Sequence, residues 1–191
     1  MALPLENKRY TYADYITWDD GIRYELIDGI PYAMVGTTGA HQLVRTGIEN
    51  QLYNYLKGKK CRLFSETFDV QLNAHEYDDI VVQPDITVVC DLSKVEGEKS
   101  CVGSPDLIIE ILSPSTAKKD KTTKFKLYEK YGVHEYWIVD PNCKTVDTFI
   151  LENGKYGYVN HYAQTDTIPV HVLKDCNIDL AEVFVDFDIS E

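Results

Sequence analysis

Two aliphatic runs, IVVQPDITVVC at positions 80–90 and LIIEIL at 107–112, restrict what this chain can fold into. Both are rich in β-branched residues and neither alternates apolar with polar, so each predicts a strand covered on both faces. A sheet buried on both sides needs a layer over each, which makes the architecture α/β: a central mixed β-sheet flanked by helices. Each run nevertheless carries an acid, Asp85 in the first and Glu110 in the second. An unpaired charge among such neighbours is costly, so something must compensate both.

The flanking segments supply the layers. Thr11 before YADYITW predicts a short capped helix over 11–18. The Asp-Gly pair in RYELIDGIPYAM predicts an N-terminal hairpin. Leu43, Val44, Ile48, Leu52, Tyr55 and Leu56 recur at helical spacing from His41 and stop near Gly58. CRLFSETFDVQL predicts a further strand, and AKKDKTTKFKLYEKYG a second long helix ending at Gly132. EYWIVD reads as a strand, KTVDTFIL and KYGYVNHYA as a C-terminal hairpin around ENG, and DLAEVF as a helical turn.

The 191 residues contain no repeat and no low-complexity linker, and they predict one domain over 1–191. No run approaches the roughly 20 apolar residues of a membrane span, and MALPLENKRYTYADY lacks a signal-peptide pattern. The expectation is a soluble cytoplasmic protein with no membrane partner. Cys61, Cys90, Cys101, Cys143 and Cys176 are scattered without a C-x-x-C pair, which predicts free thiols rather than a disulfide framework or a zinc knuckle.

A net charge of −12 opposes nucleic acid at long range. Metal-dependent nucleases, however, concentrate carboxylates at the site and need basic surface only locally, and here lysines cluster in KGKK at 57–60 and KKDKTTKFK at 118–126. Two acids on neighbouring buried strands point to one hard divalent cation, Mg2+ with Mn2+ as substitute, which takes one or two carboxylates alongside substrate phosphate. On the second long helix, Lys124 lies three, four and seven residues before Leu127, Tyr128 and Tyr131, on the inward face, while Lys126 and Lys130 project sideways. Asp106, behind Gly-Ser-Pro at a strand entrance, is read as a turn residue.

The series YELIDG, His41 at a helix start, QPDITVV, PDLIIEILSPST, DKTTKFKLY and GVHEYWIVDP resembles the bacterial Uma-type restriction endonuclease family, long described only as a domain of unknown function, within the PD-(D/E)XK nuclease superfamily. The resemblance covers about residues 12–141, with 142–191 as a C-terminal hairpin extension. It implies a restriction-endonuclease-like fold and Mg-dependent hydrolysis of nucleic acid, DNA first. It also implies metal binding by Asp85 and Glu110. The superfamily's lysine two residues after the acid is replaced by Leu112, and Lys124 is the matching position, with Lys121 or Lys126 able to share its role. Glu25 and His41 match further pattern residues and complete the catalytic set. Glu25 either joins the metal or accepts hydrogen bonds from its turn, and His41 either meets phosphate or orients a carboxylate. Glu49 reads as a surface-helix acid, Tyr128, Glu135, Tyr136 and Trp137 as framework, and Ser113 as part of a turn.

Three functions compete at this level: an active nuclease, a silent nucleic-acid- or protein-binding module of the same fold, and a hydrolase of small phosphate esters. Cutting both strands of a duplex needs two sites, which predicts a homodimer.

Overall fold

The computed structural model describes residues 8–74, 76–97 and 99–185. Helix α1 (Tyr12–Tyr15) opens with a capping box, in which Thr11 and Asp14 each accept the other's backbone N–H. It is shorter than its pattern predicts. Thr17 Oγ1 donates to the Asp14 carbonyl at 2.6 Å and Trp18 N–H to Tyr15 O, a tightening that ends the helix. Strands β1 (Tyr24–Ile27) and β2 (Ile30–Ala33) form the N-terminal hairpin. Asp28 at φ 50 and Gly29 at φ 71 make the primed turn whose twist matches paired strands. Helix α2 (Gly39–Leu56) starts at Thr38, whose hydroxyl accepts the His41 N–H.

The next strands are β3 (Arg62–Ser65), β4 (Asp69–Gln71), β5 (Val81–Val82), β6 (Ile86–Val89), β7 (Val95–Glu96), β8 (Ser100–Val102) and β9 (Leu107–Ile111). The second long helix follows as α3 (Ala117–Lys119), a π-helical turn (Asp120–Lys124) and α4 (Phe125–Tyr131), ending at Gly132 with φ 82. The chain then forms β10 (Glu135–Asp140), β11 (Thr145–Glu152), β12 (Lys155–Ala163), β13 (Thr167–Pro169), β14 (Asn177–Asp179) and α5 (Leu180–Val183).

These strands make two six-stranded mixed sheets, β2-β1-β5-β4-β8-β7 and β12-β11-β10-β9-β6-β3, plus the pair β13-β14. Two segments expected as single strands divide between the large sheets. CRLFSETFDVQL gives β3 to one and β4 to the other, and IVVQPDITVVC is split into β5 and β6. The breaks have local causes. Pro84 has no N–H to give a ladder and holds Gln83 extended, and Thr67 sits at φ 80. The two large sheets are therefore joined along a seam at residues 66–68 and 83–85.

Strand parity decides the packing. Leu107, Ile109 and Ile111 face α2, the C-terminal strands and α5, in a core with Val44, Ile48, Leu52, Ile178 and Leu180. Ile108 and Leu112 belong to the opposite core with Leu127, Tyr128, Tyr136 and Val82. Glu110 shares their parity and so points toward α4 and the other sheet. At the far end of β6 the expectation of free thiols is corrected, because Cys61 and Cys90 form a disulfide with Cα atoms 3.9 Å apart. The pairing of Arg62 with Val89 sets these two cysteines opposite each other one step further along the ladder. Cys101, Cys143 and Cys176 are free. Among the described residues no helix is long and apolar enough to cross a membrane.

Buried Glu135 ties the tail to the sheet, accepting Trp137 Nε1–H at 2.7 Å and Val172 N–H at 2.9 Å. Glu135→Ala leaves both donors unpaired and is expected to lower unfolding free energy in urea by about 2 kcal/mol or more.

Candidate active site

The seam opens a cavity of about 260 Å³, and Glu25, His41, Asp85, Glu110 and Lys124 all line it. Each arrives from a different element: Glu25 from β1, His41 from the first turn of α2, Asp85 from the β5–β6 break, Glu110 from β9 and Lys124 from the π-helical turn. The ladder pairs Ile86 with Ile109, so one step beyond it Asp85 stands across from Glu110.

Lys124 is buried and bridges the two sheets. Its ammonium lies 2.7 Å from Glu25 Oε1, 2.9 Å from Glu110 Oε1 and 3.6 Å from Asp120 Oδ1. Lys119, from α3, reaches the second oxygen of Glu25 at 3.1 Å. Both Glu25 oxygens are thus engaged by ammonium groups, and Oε1 also accepts the Gln83 N–H at 3.3 Å. Glu110 Oε1 further accepts the Tyr128 hydroxyl at 2.6 Å. Asp85 Oδ2 accepts the Ile111 N–H at 2.7 Å and meets His41 Nε2 at 3.1 Å. An ionised carboxylate accepts only, so this contact places a proton on Nε2 of His41. Its Nδ1 is buried without a partner.

Burial pushes the Glu110 carboxyl well above the usual range; Lys124 opposes this, while Asp120, Asp85 and Glu25 add to it. Asp120 is also raised, first by burial. Burial alone would raise Glu25 too, but the Lys124 and Lys119 ammonium groups hold it below its ordinary value. Lys124 is desolvated, yet Glu110, Glu25 and Asp120 keep its pKa well above normal, so it stays charged. Five carboxyl groups, Glu25, Glu66, Asp85, Glu110 and Asp120, therefore line the cavity with three cationic side chains, Lys124, Lys119 and Arg23.

This donor set suits a hard cation. The ligand atoms are oxygens, and carboxyl groups outnumber the cationic side chains around the cavity. Asp120 Oδ1 is buried without a hydrogen-bond partner. Among the described residues no three acids, histidines or cysteines already converge as a cage. Two carboxylates on adjacent strands are instead the sparse set that magnesium takes when it keeps waters and shares substrate phosphate.

The sequence of the chain matches a known family. The family model Uma2, described as "Putative restriction endonuclease", spans residues 12–181. The chain belongs to the Uma2 family. Two uncharacterized proteins of Synechocystis sp. are similar to it. The protein slr1290 is 26% identical over 159 residues, covering 81% of each chain, and sll1609 is 25% identical over 153 residues, covering 78% of this chain and 85% of its own. The crystal structure of a putative nuclease belonging to DUF820 from Anabaena variabilis aligns with a TM-score of 0.72 at 19% identity, over 92% of this chain and 97% of that one. This Uma2 chain shares its fold, a mixed α/β architecture of the nuclease type.

Of the other sequence candidates, Ser113 also lines the cavity and the rest lie elsewhere. Lys121 and Lys126 are exposed and do not line the cavity. Glu49 accepts the Ser65 hydroxyl at 2.7 Å and pairs with Arg45 at 3.5 Å on α2. Asp106 accepts the Cys90 N–H at 2.7 Å, as a turn acid should. Ser113 bonds Thr116 in the turn after β9. The sequence reading missed Lys119, Asp120 and the polar end of Tyr128. Tyr128 lies one α-helical turn after Lys124, a spacing that was available as a signal.

Because Glu110 is raised, its ionisation opposes folding. Its contribution to stability is complete below 4.5, the ordinary glutamate value, and is lost as pH rises through the folded pKa. In chelator, Glu110→Gln is therefore expected to raise Tm at pH 8, with the gain disappearing below pH about 4.5 in thermal scans across pH. A lower Tm at pH 8 would contradict this electrostatic account.

Proposed function

We propose that this chain hydrolyses phosphodiester bonds in DNA with magnesium, or manganese in its place, held by Asp85 and Glu110. The observation that carries the proposal is the Lys124 ammonium 2.9 Å from Glu110, in the cavity that Asp85 also lines. The position two residues after Glu110, where the superfamily resemblance calls for lysine, is Leu112, which is buried in the α4-side core. Lys124 brings the same charge to the same carboxylate from the helix.

Bound at these carboxylates, a divalent ion would supply Lewis-acid stabilisation of the phosphate and make water a competent nucleophile near neutral pH. The protein's own groups do the rest. Ile111 N–H and His41 fix one oxygen of Asp85, leaving Oδ1 for the ion. Tyr128 likewise fixes one oxygen of Glu110. Glu25, with both oxygens on lysines, positions Lys124 and Lys119. Lys124, kept charged by its neighbours, offsets negative charge that grows on the phosphate during attack. Lys119 is about one quarter exposed and offers a second cation toward the mouth.

The test is cleavage of supercoiled, linear and single-stranded DNA with magnesium or manganese. Wild type is expected to cut, and chelator, Asp85→Ala or Glu110→Ala to abolish cutting. Lys124→Ala should reduce the rate about 10²–10³-fold and His41→Ala about 10–100-fold. The proposal fails if wild type cuts none of these DNAs with either metal.

A further inference from the structure

A second, larger hollow of about 650 Å³ lies beside the candidate active site. Its walls include Tyr12, Tyr15, Trp18, Tyr24, Phe64 and Phe68. Trp18 meets Tyr15 and Tyr24 edge to face, with ring centroids 5.6 Å and 5.2 Å away, and Phe64 stacks on Phe68 at 4.0 Å. Five of these six rings are only half-buried, and Ile16 and Ile22, which also line the hollow, are 62% and 50% exposed. Half-buried aromatic rings lining a concave site are suited to a flat π-system.

Polar groups are built in among the rings. Asp69 is buried and accepts the Tyr15 hydroxyl at 3.1 Å, the Tyr12 hydroxyl at 3.4 Å and Gln83 Nε2–H at 2.8 Å. Gln83 also lines the catalytic cavity, and its Oε1 is buried with no partner. Arg23 and Glu66 border both hollows and form an ion pair at 3.3 Å, while exposed Lys99 adds a second cation to the aromatic one. The two sites are therefore adjacent, with the Arg23–Glu66 pair as their shared border.

We propose that the aromatic cleft is a subsite for an unpaired nucleobase of the strand being cut, which makes the preferred substrate single-stranded or locally unpaired polynucleotide. The proposal rests on the nuclease reading for the identity of the strand. Base stacking on aromatic side chains tolerates any sequence, and the base itself is uncharged, so this contact is not opposed by a net charge of −12. It also gives one strand a grip at a distance from the scissile phosphate, which holds that phosphate in register.

Trp18 provides the measurement, because the only other tryptophan, Trp137, is fully buried in the core. The full chain in chelator is titrated with a short single-stranded DNA and with the same strand carrying abasic sites. The intact strand should quench tryptophan emission and bind about tenfold more tightly than the abasic strand. Trp18→Phe should remove the quenching while keeping the preference. Equal binding of the abasic strand overturns the cleft assignment, as does quenching that survives in Trp18→Phe. A parallel cleavage assay with magnesium separates the two proposals. Cutting without base-dependent quenching overturns the cleft and leaves the nuclease. Base-dependent quenching without cutting supports the cleft and overturns the nuclease.

Discussion

Lys124 is the cation on which the seam depends. Glu25 belongs to one large sheet and Glu110 to the other, and both are withdrawn from water where the sheets part. Two carboxylates brought together in such a place repel each other and lose hydration, and a buried charge left unpaired costs several kcal/mol. The ammonium within 3 Å of both is what lets the sheets meet there. The compensation is incomplete, since Glu110 and Asp120 still hold their protons more tightly than ordinary carboxylates do. A site built for stability alone would replace one of these acids with an apolar residue. Retaining them leaves a standing demand for positive charge, which a divalent ion can meet.

The seam itself comes from two interruptions that sit side by side. If Ile80 to Cys90 ran as one strand, Asp85 would be one more side chain on a covered face. Because β5 ends at Val82 and β6 begins at Ile86, the three residues between are freed from regular pairing. Gln83 then reaches Asp69 and Tyr15 on one side, and Asp85 reaches His41 and the Ile111 N–H on the other. The Pro-Asp pair links a break in the sheet to a carboxylate aimed at its edge. In the later Pro-Asp pair, Asp106 only closes a turn onto Cys90.

Much of this was legible from residue pattern. The helical spacing of α2, the Asp-Gly hairpin and the apolar strands all follow local rules that the fold obeys. Asp85, Glu110 and Lys124 stood out because a charge on an apolar face needs a partner, and they line one cavity. What stayed hidden was non-local. An apolar run does not state which of two sheets it joins, so the division of residues 62–71 and 81–89 between sheets had no local signature beyond Pro84. The Cys61–Cys90 link depends on strand register, which scattered cysteines do not reveal. Tyr128 satisfied every criterion for a core residue and is fully buried; only the position of Glu110 shows that its hydroxyl is in use.

Lys119 was missed for a reason that bears on how the helix works. In a regular α-helix, residues five apart differ by about 140° around the axis, so Lys119 and Lys124 would leave on different faces. Yet they grip the two oxygens of one carboxylate, Glu25. The intervening turn is π-helical: Phe125 N–H bonds back to Asp120 O, five residues earlier. That wider turn brings positions five apart toward the same face and turns Asp120 inward with them. Downstream, normal α-helical spacing resumes and sends Leu127 and Tyr128 into the core. One extra residue in a helical turn thus gives Glu25 two cations from a single segment, while the rest of the helix remains anchored by its apolar face.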